Sequence, residues 1–564
     1  MDAVLSNDGC SKARVEARDA EADLAFLGAA GRDDDATAEA ELALENLAGY
    51  HARWVSYQCH DLLATLYASR GENDKAEKLY LEAIDEMESL RGNIRLDEFR
   101  MSFGRDKYQV YENLVHLKIE SQNLEEAFAF VERSKSRTLI DLLERNTDSV
   151  WDSDRSSSKQ QAIRKLRQDL NGLYSQLSQV GTTISALSAD KSIQNQISES
   201  ERQLMSLLRE AGTDQEEWVS METVSMPTVS DAQDMLEEHE VLLEYYVVHG
   251  QFCVFVLTTT AFHLVSDLGS TQEVRDSLKG LNFQLSKFHL SPEYVGLHRD
   301  QLLIGVQHHL RELYRVLLKP VEQWIENRSL VIVPHHVLHY VPFHALYDGA
   351  AHLVDQHDVV YGASASVLRI CRSKATRATD QDLVLAVPDE STPSIRDEAE
   401  TLRQLLPNAK VFIGEEARAE VLQELGPRSG RLHIAAHGVF RSDNPMFSSI
   451  QLGDSWLKLM DIFNLKLGAD LTTLSACETG MSALYEGDEL LGLTRGFLYA
   501  GTPSLVVSLW RVNDTSTTLL MKRFYEGLLG GEAKPEALRQ AMLAVKEQFP
   551  HPYYWAPFIL MGKS

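Results

Sequence analysis

The sequence predicts an all-α N-terminal region of paired helices, followed by an α/β domain with a mainly parallel sheet. Over residues 1–145, apolar residues recur at intervals of three and four with few glycines or prolines, which is typical of amphipathic helices. From residue 382 onward, short apolar runs alternate with helical stretches, which is typical of strands covered by helices on both faces. The length of 564 residues allows roughly three or four folding units.

The composition excludes several classes of protein. Hydrophobic residues make up 44% and charged residues 24%, as in globular chains that build sizeable cores and unlike disordered ones. A formal net charge of −28 disfavours direct binding to nucleic acid or to an anionic membrane. No apolar run approaches the roughly 18 residues that cross a bilayer.

The cysteines are few, odd in number and widely spaced, which argues against a disulfide framework. We therefore expect free thiols in a reducing, cytoplasmic compartment. The five positions are Cys10, Cys59, Cys253, Cys371 and Cys477.

Two segments of the helical region are similar to each other at an offset of 51 residues. Residues 62–84 and 114–134 each place small and aromatic side chains where two antiparallel helices approach closely around a turn. The aligned pairs are Gly71 with Gln122 and Ala76 with Ala127. Each segment resembles a tetratricopeptide repeat, although the offset exceeds the usual period of about 34 residues. We expect such helical hairpins to stack on one another over residues 1–145.

A polar, serine-rich stretch near residue 150 marks a linker, and a helical hairpin is predicted to complete residues 146–228. The first helix of that hairpin carries a heptad stripe formed by Ile163, Leu166, Leu170, Leu173, Leu177 and Val180. The stripe covers less than three heptads, which favours an antiparallel hairpin over an oligomerising coiled coil.

Sheet-forming sequence begins after residue 229. Residues 241–248 and 252–259 predict a β-hairpin, and residues 329–349 predict a strand that runs into a proline-interrupted turn. Further strands are expected at 382–388, 410–414, 431–436, 470–476 and 504–510, with helices at 394–406, 418–425 and 488–500. We divide this part of the chain into residues 229–375 and 376–564.

Two reactive side chains follow the ends of predicted strands. His437 follows strand 431–436 in LHIAAHG, and Cys477 follows strand 470–476 in LSACETG. Ligands of open α/β sheets bind at the carboxyl ends of the strands, so a thiol and an imidazole can meet there without being close in sequence. The alternative is a buried, inert cysteine and a satisfied core histidine.

These strings resemble the CHAT family of caspase-like cysteine peptidases, relatives of separase that commonly carry tetratricopeptide repeats. The resemblance covers roughly residues 229–564 and extends to IVPHHVLHYVPFHAL, EGDELLGLTRGFLYAGTPSLVVSLWRVND and YYWAPFILMG. It implies that Cys477 is the nucleophile and His437 the base. From their place at the two strand ends, the N–H groups of Gly438 and Cys477 can point at a developing oxyanion. The resemblance also implies a degenerate caspase-like half in 229–375 and a catalytic half in 376–564.

Asp514 follows the strand after the one that leads to Cys477. In relatives of this kind an acid in this region holds the basic side chain that precedes the cut bond, because a carboxylate pairs with arginine or lysine. The alternative for Asp514 is a cap of the helix that follows it. Competing acids in nearby loops are Asp443, Glu478, Glu486, Asp488 and Glu489.

Cofactors are not expected. No P-loop, Rossmann glycine pattern or G-x-S-x-G string is present in the sequence. A run of histidines, His335, His336, His339 and His344, raises the alternative of a metal site. No cysteine or carboxylate cluster accompanies the run, so we favour a structural role and predict no metal.

The resemblance implies a cysteine endopeptidase that cuts a specific protein partner after arginine or lysine, in bacterial signalling or defence. The substrate would be a gasdermin-like or another defence effector, and the repeats would recognise a partner, such as an activating protein or ribonucleoprotein, and regulate a latent site. The alternative is a non-catalytic adaptor, a pseudo-protease scaffold whose repeats bind partners. Under that alternative, Cys477→Ala and His437→Ala would leave function intact.

Overall fold

A computed structural model describes most of the chain. The described residues are 33–47, 53–92, 109–145, single positions between 165 and 207, 228–375, 381–389, 392–439, 447–475, 489–512 and 514–564. The chain divides into two compact units, Met1–Ser134 and Lys135–Ser564.

The described part of the chain contains α-helices in both units and strands in the second. The helices are α1 (Asp33–Leu47), α2 (Arg53–Ser69), α3 (Asn73–Gly92), α4 (Gln109–Glu120), α5 (Leu124–Arg145), α6 (Val229–Asp234), α7 (Thr271–Ser286), α8 (Pro292–Leu297), α9 (Arg299–Leu317), α10 (Glu322–Ile325), α11 (Ala365–Ser373), α12 (Ile395–Leu405), α13 (Ala419–Leu425), α14 (Leu459–Ile462), α15 (Glu489–Ala500), α16 (Asp514–Gly530), α17 (Lys534–Gln548) and α18 (Pro552–Trp555). The strands are β1 (Glu240–Val248), β2 (Gln251–Leu257), β3 (Phe262–Ser270), β4 (Ser329–Val333), β5 (Val359–Tyr361), β6 (Asp382–Ala386), β7 (Lys410–Ile413), β8 (Arg431–Ala435), β9 (Gly438–Val439), β10 (Ser449–Gln451), β11 (Trp456–Lys458), β12 (Leu471–Ser475), β13 (Ser504–Ser508) and β14 (Phe558–Gly562).

The two similar helical segments form hairpins with the same turn. Gly71, between α2 and α3, has φ +77°, and Gln122, between α4 and α5, has φ +57°. The residue that follows each of these donates its N–H to the carbonyl oxygen five positions before that donor, from Glu72 to Tyr67 and from Asn123 to Lys118. The aligned Ala76 and Ala127 are both fully buried, as close helix approach requires. The described N-terminal residues are thus all helical, as predicted.

Polar contacts join the two hairpins within this unit. Asn113 of α4 donates its amide to the Asp61 carboxylate of α2 at 3.0 Å. Arg133 of α5 donates Nε and a terminal nitrogen to the two carboxylate oxygens of Glu88 on α3, at 2.8 and 2.7 Å. Burial raises the pKa of Asp61 to about 6. The hairpins therefore stack, as expected for repeats of this kind.

The positions described between residues 165 and 207 are helical. Leu170, Ile197 and Leu204 among them are buried. The remaining residues of the predicted linker and hairpin, including most of the heptad stripe, lie outside the described residues.

The second unit is built on one sheet of eleven strands, in the order β3-β2-β1-β4-β5-β14-β13-β12-β8-β6-β7. Seven of its ten strand pairs are parallel and three are antiparallel. The prediction of a mainly parallel sheet is therefore confirmed.

The sheet consists of two parallel blocks that run in opposite directions. Strands β1, β4, β5 and β14 form one block, and β13, β12, β8, β6 and β7 form the other. The blocks meet where β13 pairs with β14 in antiparallel fashion. Their carboxyl ends therefore lie at opposite edges of the sheet, and each edge can carry its own set of loops.

Helices cover both faces of the second block. Thr473 of β12 contacts Tyr525 of α16, and its neighbour Thr472 contacts Thr502, just after α15. Because successive strand residues point to opposite faces, these contacts put α16 and the end of α15 on opposite sides of the sheet. Glu398 of α12 contacts Ser475 on the Thr473 side. The buried strands between these layers explain the continuous apolar runs in the sequence.

Six strands were not predicted from the sequence: β3, β5 and β14 of the eleven-stranded sheet, and the short strands β9, β10 and β11. Only Leu268 of β3 is buried and its other residues are partly or fully exposed, so this strand lacks the apolar run of a buried strand. β5 has three residues, and β14 lies at the end of an aromatic segment that gives no periodicity. None of the helices in the part of the chain described above is both long and apolar enough to cross a membrane.

Candidate active site

The strands that lead to His437 and Cys477 are direct neighbours. β8 and β12 pair in parallel from Arg431 opposite Leu471 to Ala435 opposite Ser475. His437 lies two residues beyond Ala435, and Cys477 is two residues beyond Ser475 in the sequence. The sequence allowed these strands to be neighbours, and the sheet shows that they are. Cys477 itself lies outside the described residues.

A carboxylate holds the His437 ring. The Nε2 atom of His437 lies 2.8 Å from Oδ2 of Asp389, in the loop after β6. The other oxygen of Asp389 accepts hydrogen bonds from Thr392, from its backbone N–H at 2.9 Å and its hydroxyl at 3.0 Å. A carboxylate accepts only, so Nε2 carries a hydrogen and the lone pair of a neutral ring lies on Nδ1. The loop thus fixes both the orientation and the tautomer of the imidazole.

The backbone after His437 enters a second, three-stranded sheet. β9, β10 and β11 pair in antiparallel fashion, with Gly438 opposite Ile450 and Val439 opposite Ser449. Gln451 donates its N–H to the His437 carbonyl at 2.8 Å. In an antiparallel pair, hydrogen-bonded and non-bonded positions alternate, so the N–H of Gly438 points away from β10. Its donor is therefore not used by the ladder.

Polar side chains fill the core directly below this edge of the sheet. His433, on β8, lies 2.9 Å from a Glu398 oxygen and 3.1 Å from the Tyr525 hydroxyl. Ser475, the last residue of β12, donates to the second oxygen of Glu398 at 3.1 Å. Burial raises the pKa of Tyr525, so its phenol stays protonated.

The acid expected to select a basic residue, Asp514, follows the next strand along. β13 is the other parallel neighbour of β12, and Asp514 comes six residues after its end. Helix α16 begins at Asp514 itself, so Asp514 belongs to the first turn rather than to a preceding cap position. Of the competing acids, Glu489 opens α15, and the other four lie outside the described residues.

The histidine-rich run after β4 packs into the first block of the sheet. The His335 ring stacks on Tyr246 at 4.4 Å, and its Nδ1 accepts the Val247 N–H. His344 donates Nε2–H to the Ala556 carbonyl, and burial lowers its pKa to about 4. No group of three or more metal-binding side chains occurs among the residues that the structure describes.

The thiols that the structure describes are unsuited to act as nucleophiles. Cys59, Cys253 and Cys371 are free and buried. Burial raises the pKa of Cys253 to about 12 and that of Cys371 to about 11. Because the thiolate is the nucleophile, both are inert near neutral pH.

Asp389 and Thr392 were not among the site residues predicted from the sequence. His437 and Cys477 were found by searching the carboxyl ends of predicted strands for functional side chains. The same search applies to β6, which pairs with β8 and ends three residues before Asp389. The string PDESTPS offers several polar candidates, however, and the sequence gives no reason to single out one of them. Only the tertiary contact with His437 identifies Asp389.

Comparison with known proteins matches the C-terminal part of the chain to a protein domain. Residues 307–563 match the CHAT domain. The match begins later than the resemblance predicted from residue 229, although β1, upstream of it, belongs to the same sheet.

Tetratricopeptide repeat protein 28 of Mus musculus and of Homo sapiens are each 24% identical over 328 residues, covering 45% of this chain. The match spans 13% of the length of each of these relatives. Among solved structures, a Saccharomyces cerevisiae separase–securin complex is 12% identical with a TM-score of 0.47, over 94% of this chain and 48% of that one. The Arg-specific cysteine proteinase gingipain R is 10% identical with a TM-score of 0.32, over 52% of this chain and 74% of that one.

Proposed function

We propose that the chain is a cysteine endopeptidase of the CHAT family, a family of caspase-like peptidases, and that it cuts a protein partner after arginine or lysine. Residues 307–563, which match the CHAT domain, support this assignment. The pairing of β12 with β8 is the observation that supports this most directly. It brings the segments that lead to Cys477 and His437 to the same edge of the sheet, and the contact between His437 and Asp389 gives the imidazole a defined tautomer.

In this proposal Cys477 is the nucleophile and His437 the base. Nδ1 of His437 accepts the thiol proton, while Asp389 holds the hydrogen on Nε2. The thiolate attacks the carbonyl carbon before the cut bond, the C–N bond breaks, and the leaving amine takes the proton from Nδ1. Water then attacks the thioester and gives one proton to His437. The C–S bond breaks, the carboxylic acid leaves, and His437 returns the proton to the Cys477 thiolate. Asp389 acts through His437 and is a positioning residue.

The oxyanion that forms during attack needs hydrogen-bond donors. We assign this role to the N–H groups of Gly438 and Cys477. The pairing of Gly438 with Ile450 supports the assignment, because it leaves the Gly438 N–H directed away from β10. The absence of a side chain at Gly438 also allows the substrate to approach the backbone closely.

The preference for a basic residue is assigned to Asp514. β13 is a parallel neighbour of β12, so the chain leading to Asp514 leaves the sheet at the same edge as the chain leading to Cys477. A carboxylate at this edge pairs with lysine and, through two hydrogen bonds, with arginine.

The helical hairpins of residues 1–145 would recognise a protein partner and regulate a latent site. Stacked hairpins present extended surfaces to other proteins. The substrate in this proposal is a gasdermin-like or another effector of bacterial defence or signalling, and the activator is a protein or ribonucleoprotein. The buried free thiols Cys59, Cys253 and Cys371 agree with a reducing cytoplasm.

The test combines substrate mapping with labelling of the active thiol. Full-length wild type, Cys477→Ala and the matched control Cys371→Ala are incubated with a proteome-derived peptide library and with an electrophilic arginine ketone, and the products are identified by mass spectrometry. We expect cuts after arginine or lysine and labelling at Cys477, both abolished by Cys477→Ala and by His437→Ala. Asp514→Ala should remove the basic preference, whereas the exposed control Asp397→Ala should keep it.

The non-catalytic adaptor is the opposite outcome. In that case the wild type neither cuts peptides nor reacts with the ketone. The alkylation rate of Cys477 is then the same in the wild type and in His437→Ala. In that case the α/β domain would serve as a docking module, and the enzyme proposal would be wrong.

A further inference from the structure

Five buried polar side chains form a connected chain beneath the edge of the sheet that leads to His437 and Cys477. Thr473, Tyr525, His433, Glu398 and Ser475 are each no more than 3% exposed. Tyr525 donates its hydroxyl to Thr473 at 3.1 Å, and His433 Nδ1 lies 3.1 Å from the Tyr525 oxygen. His433 Nε2 lies 2.9 Å from Oε1 of Glu398, and Ser475 donates to Oε2 at 3.1 Å.

The positions of the hydrogens follow from these contacts. Because the Tyr525 hydrogen goes to Thr473, His433 must donate its Nδ1–H to the phenol oxygen. Two lone pairs at 2.9 Å would repel each other, so one of the two atoms, His433 Nε2 or Glu398 Oε1, carries a further hydrogen. The two atoms form an ion pair without the alignment of a hydrogen bond. With that proton the pair carries no net charge, which makes its burial tolerable.

Glu398 connects the three segments that carry the proposed machinery. It lies on α12, which directly follows the loop of Asp389 and Thr392. One of its oxygens faces His433, four residues before His437, and the other holds Ser475, two residues before Cys477. A change in this carboxylate therefore acts on the spacing of β8 and β12 at their carboxyl ends.

We propose that Glu398 is the positioning residue that sets the separation of His437 and Cys477, through Ser475 on one strand and His433 on the other. The inference rests on the proposed peptidase function. Apolar side chains would fill this core at least as stably as a buried ion pair, so stability alone does not explain the polar side chains. Hydrogen bonds that reach both β8 and β12 are suited to fixing the distance between these two strands. Tyr525 and Thr473 anchor the far end of the chain, deeper in the sheet.

The test measures the reactivity of Cys477 in the full-length chain. Glu398→Gln and Ser475→Ala are compared with wild type and with Glu400→Gln, a change on the same helix at a side chain that is 43% exposed and pairs with Arg403. Iodoacetamide is the probe, and the rate of Cys477 modification is followed by mass spectrometry at a temperature well below the melting transition. The kcat and KM values on a peptide that the wild type cuts are measured in parallel.

We expect Glu398→Gln and Ser475→Ala each to lower both the alkylation rate and kcat roughly tenfold, with KM unchanged, because small misplacements of reacting groups are costly. Tyr525→Phe should have a smaller effect, and Glu400→Gln none. General destabilisation predicts the opposite sign for alkylation, because a loosened structure exposes its thiols. The Ser475→Ala variant keeps the proposal testable if Glu398→Gln does not fold.

Two failures are distinguishable. If His437→Ala slows alkylation but Glu398→Gln and Ser475→Ala react at the wild-type rate, the role of Glu398 is wrong and the dyad stands. If His437→Ala leaves the rate unchanged and the wild type cuts no peptide, the peptidase proposal fails, and this inference fails with it.

Discussion

Replacing Asp389 by asparagine should damage the proposed activity more than removing the side chain altogether. In the wild type, Oδ2 of Asp389 accepts from His437 Nε2, and Oδ1 accepts from the N–H and hydroxyl of Thr392. In Asp389→Asn the remaining oxygen keeps the Thr392 bonds, so the new NH2 group faces His437. The ring must then place its hydrogen on Nδ1, where the base needs a lone pair.

The structure gives the size of each effect. The Asp389 side chain is 39% exposed, so solvent screens its attraction for the imidazolium, and its loss in Asp389→Ala costs about 1.4 kcal/mol, or tenfold in kcat/KM. Turning the asparagine amide over would restore the tautomer but would leave the Thr392 N–H without its acceptor, at roughly 2 kcal/mol. That difference adds about thirtyfold, so Asp389→Asn should lose roughly 300-fold in total.

The assay is kcat/KM on a peptide that the wild type cuts, with Asp397→Asn as an exposed control two residues into α12. The expected order is wild type and Asp397→Asn, then Asp389→Ala, then Asp389→Asn. Iodoacetamide modification of Cys477 should follow the same order, because it also depends on proton transfer to His437. An Asp389→Asn variant as active as Asp389→Ala would refute the tautomer argument.

Two further predictions concern stability. Gly71→Ala should lower the opening free energy of its hairpin, measured by hydrogen exchange, by roughly 1 kcal/mol, because alanine is strained at a φ of +77°. Gln122→Gly should raise the opening free energy of the second hairpin by about half as much, because glycine relieves the same strain there. Equal effects of one sign would contradict this. Burial lowers the pKa values of His344, His352 and His551 to about 4, so the unfolded chain binds more protons below pH 6.5. As the pH falls from 6.5 to 4, each histidine should therefore lower the free energy of unfolding by roughly 1.4 kcal/mol per pH unit, as measured by calorimetry. A free energy of unfolding that does not change over this pH range would contradict their burial as neutral rings.

Local patterns were enough to predict most elements. The strand at Arg431–Ala435 and the helix at Glu489–Ala500 agree with their predicted bounds to within a residue. Buried strands are short apolar runs and amphipathic helices repeat at three and four, so both features are present in the sequence itself. The alignment of Gly71 with Gln122 also came from the sequence, and the structure places both residues at the same turn position with positive φ.

The tertiary structure decided which residues meet. Strand order depends on long-range packing. Only the folded sheet shows that β6, β8 and β12 lie side by side, and that the two blocks run in opposite directions where β13 meets β14. Asp389 and Glu398 are one aspartate and one glutamate among 83 acidic residues, and neither stands in a motif. Their contacts with His437, and with Ser475 and His433, arise because parallel strands end at one edge, where loops distant in sequence come together.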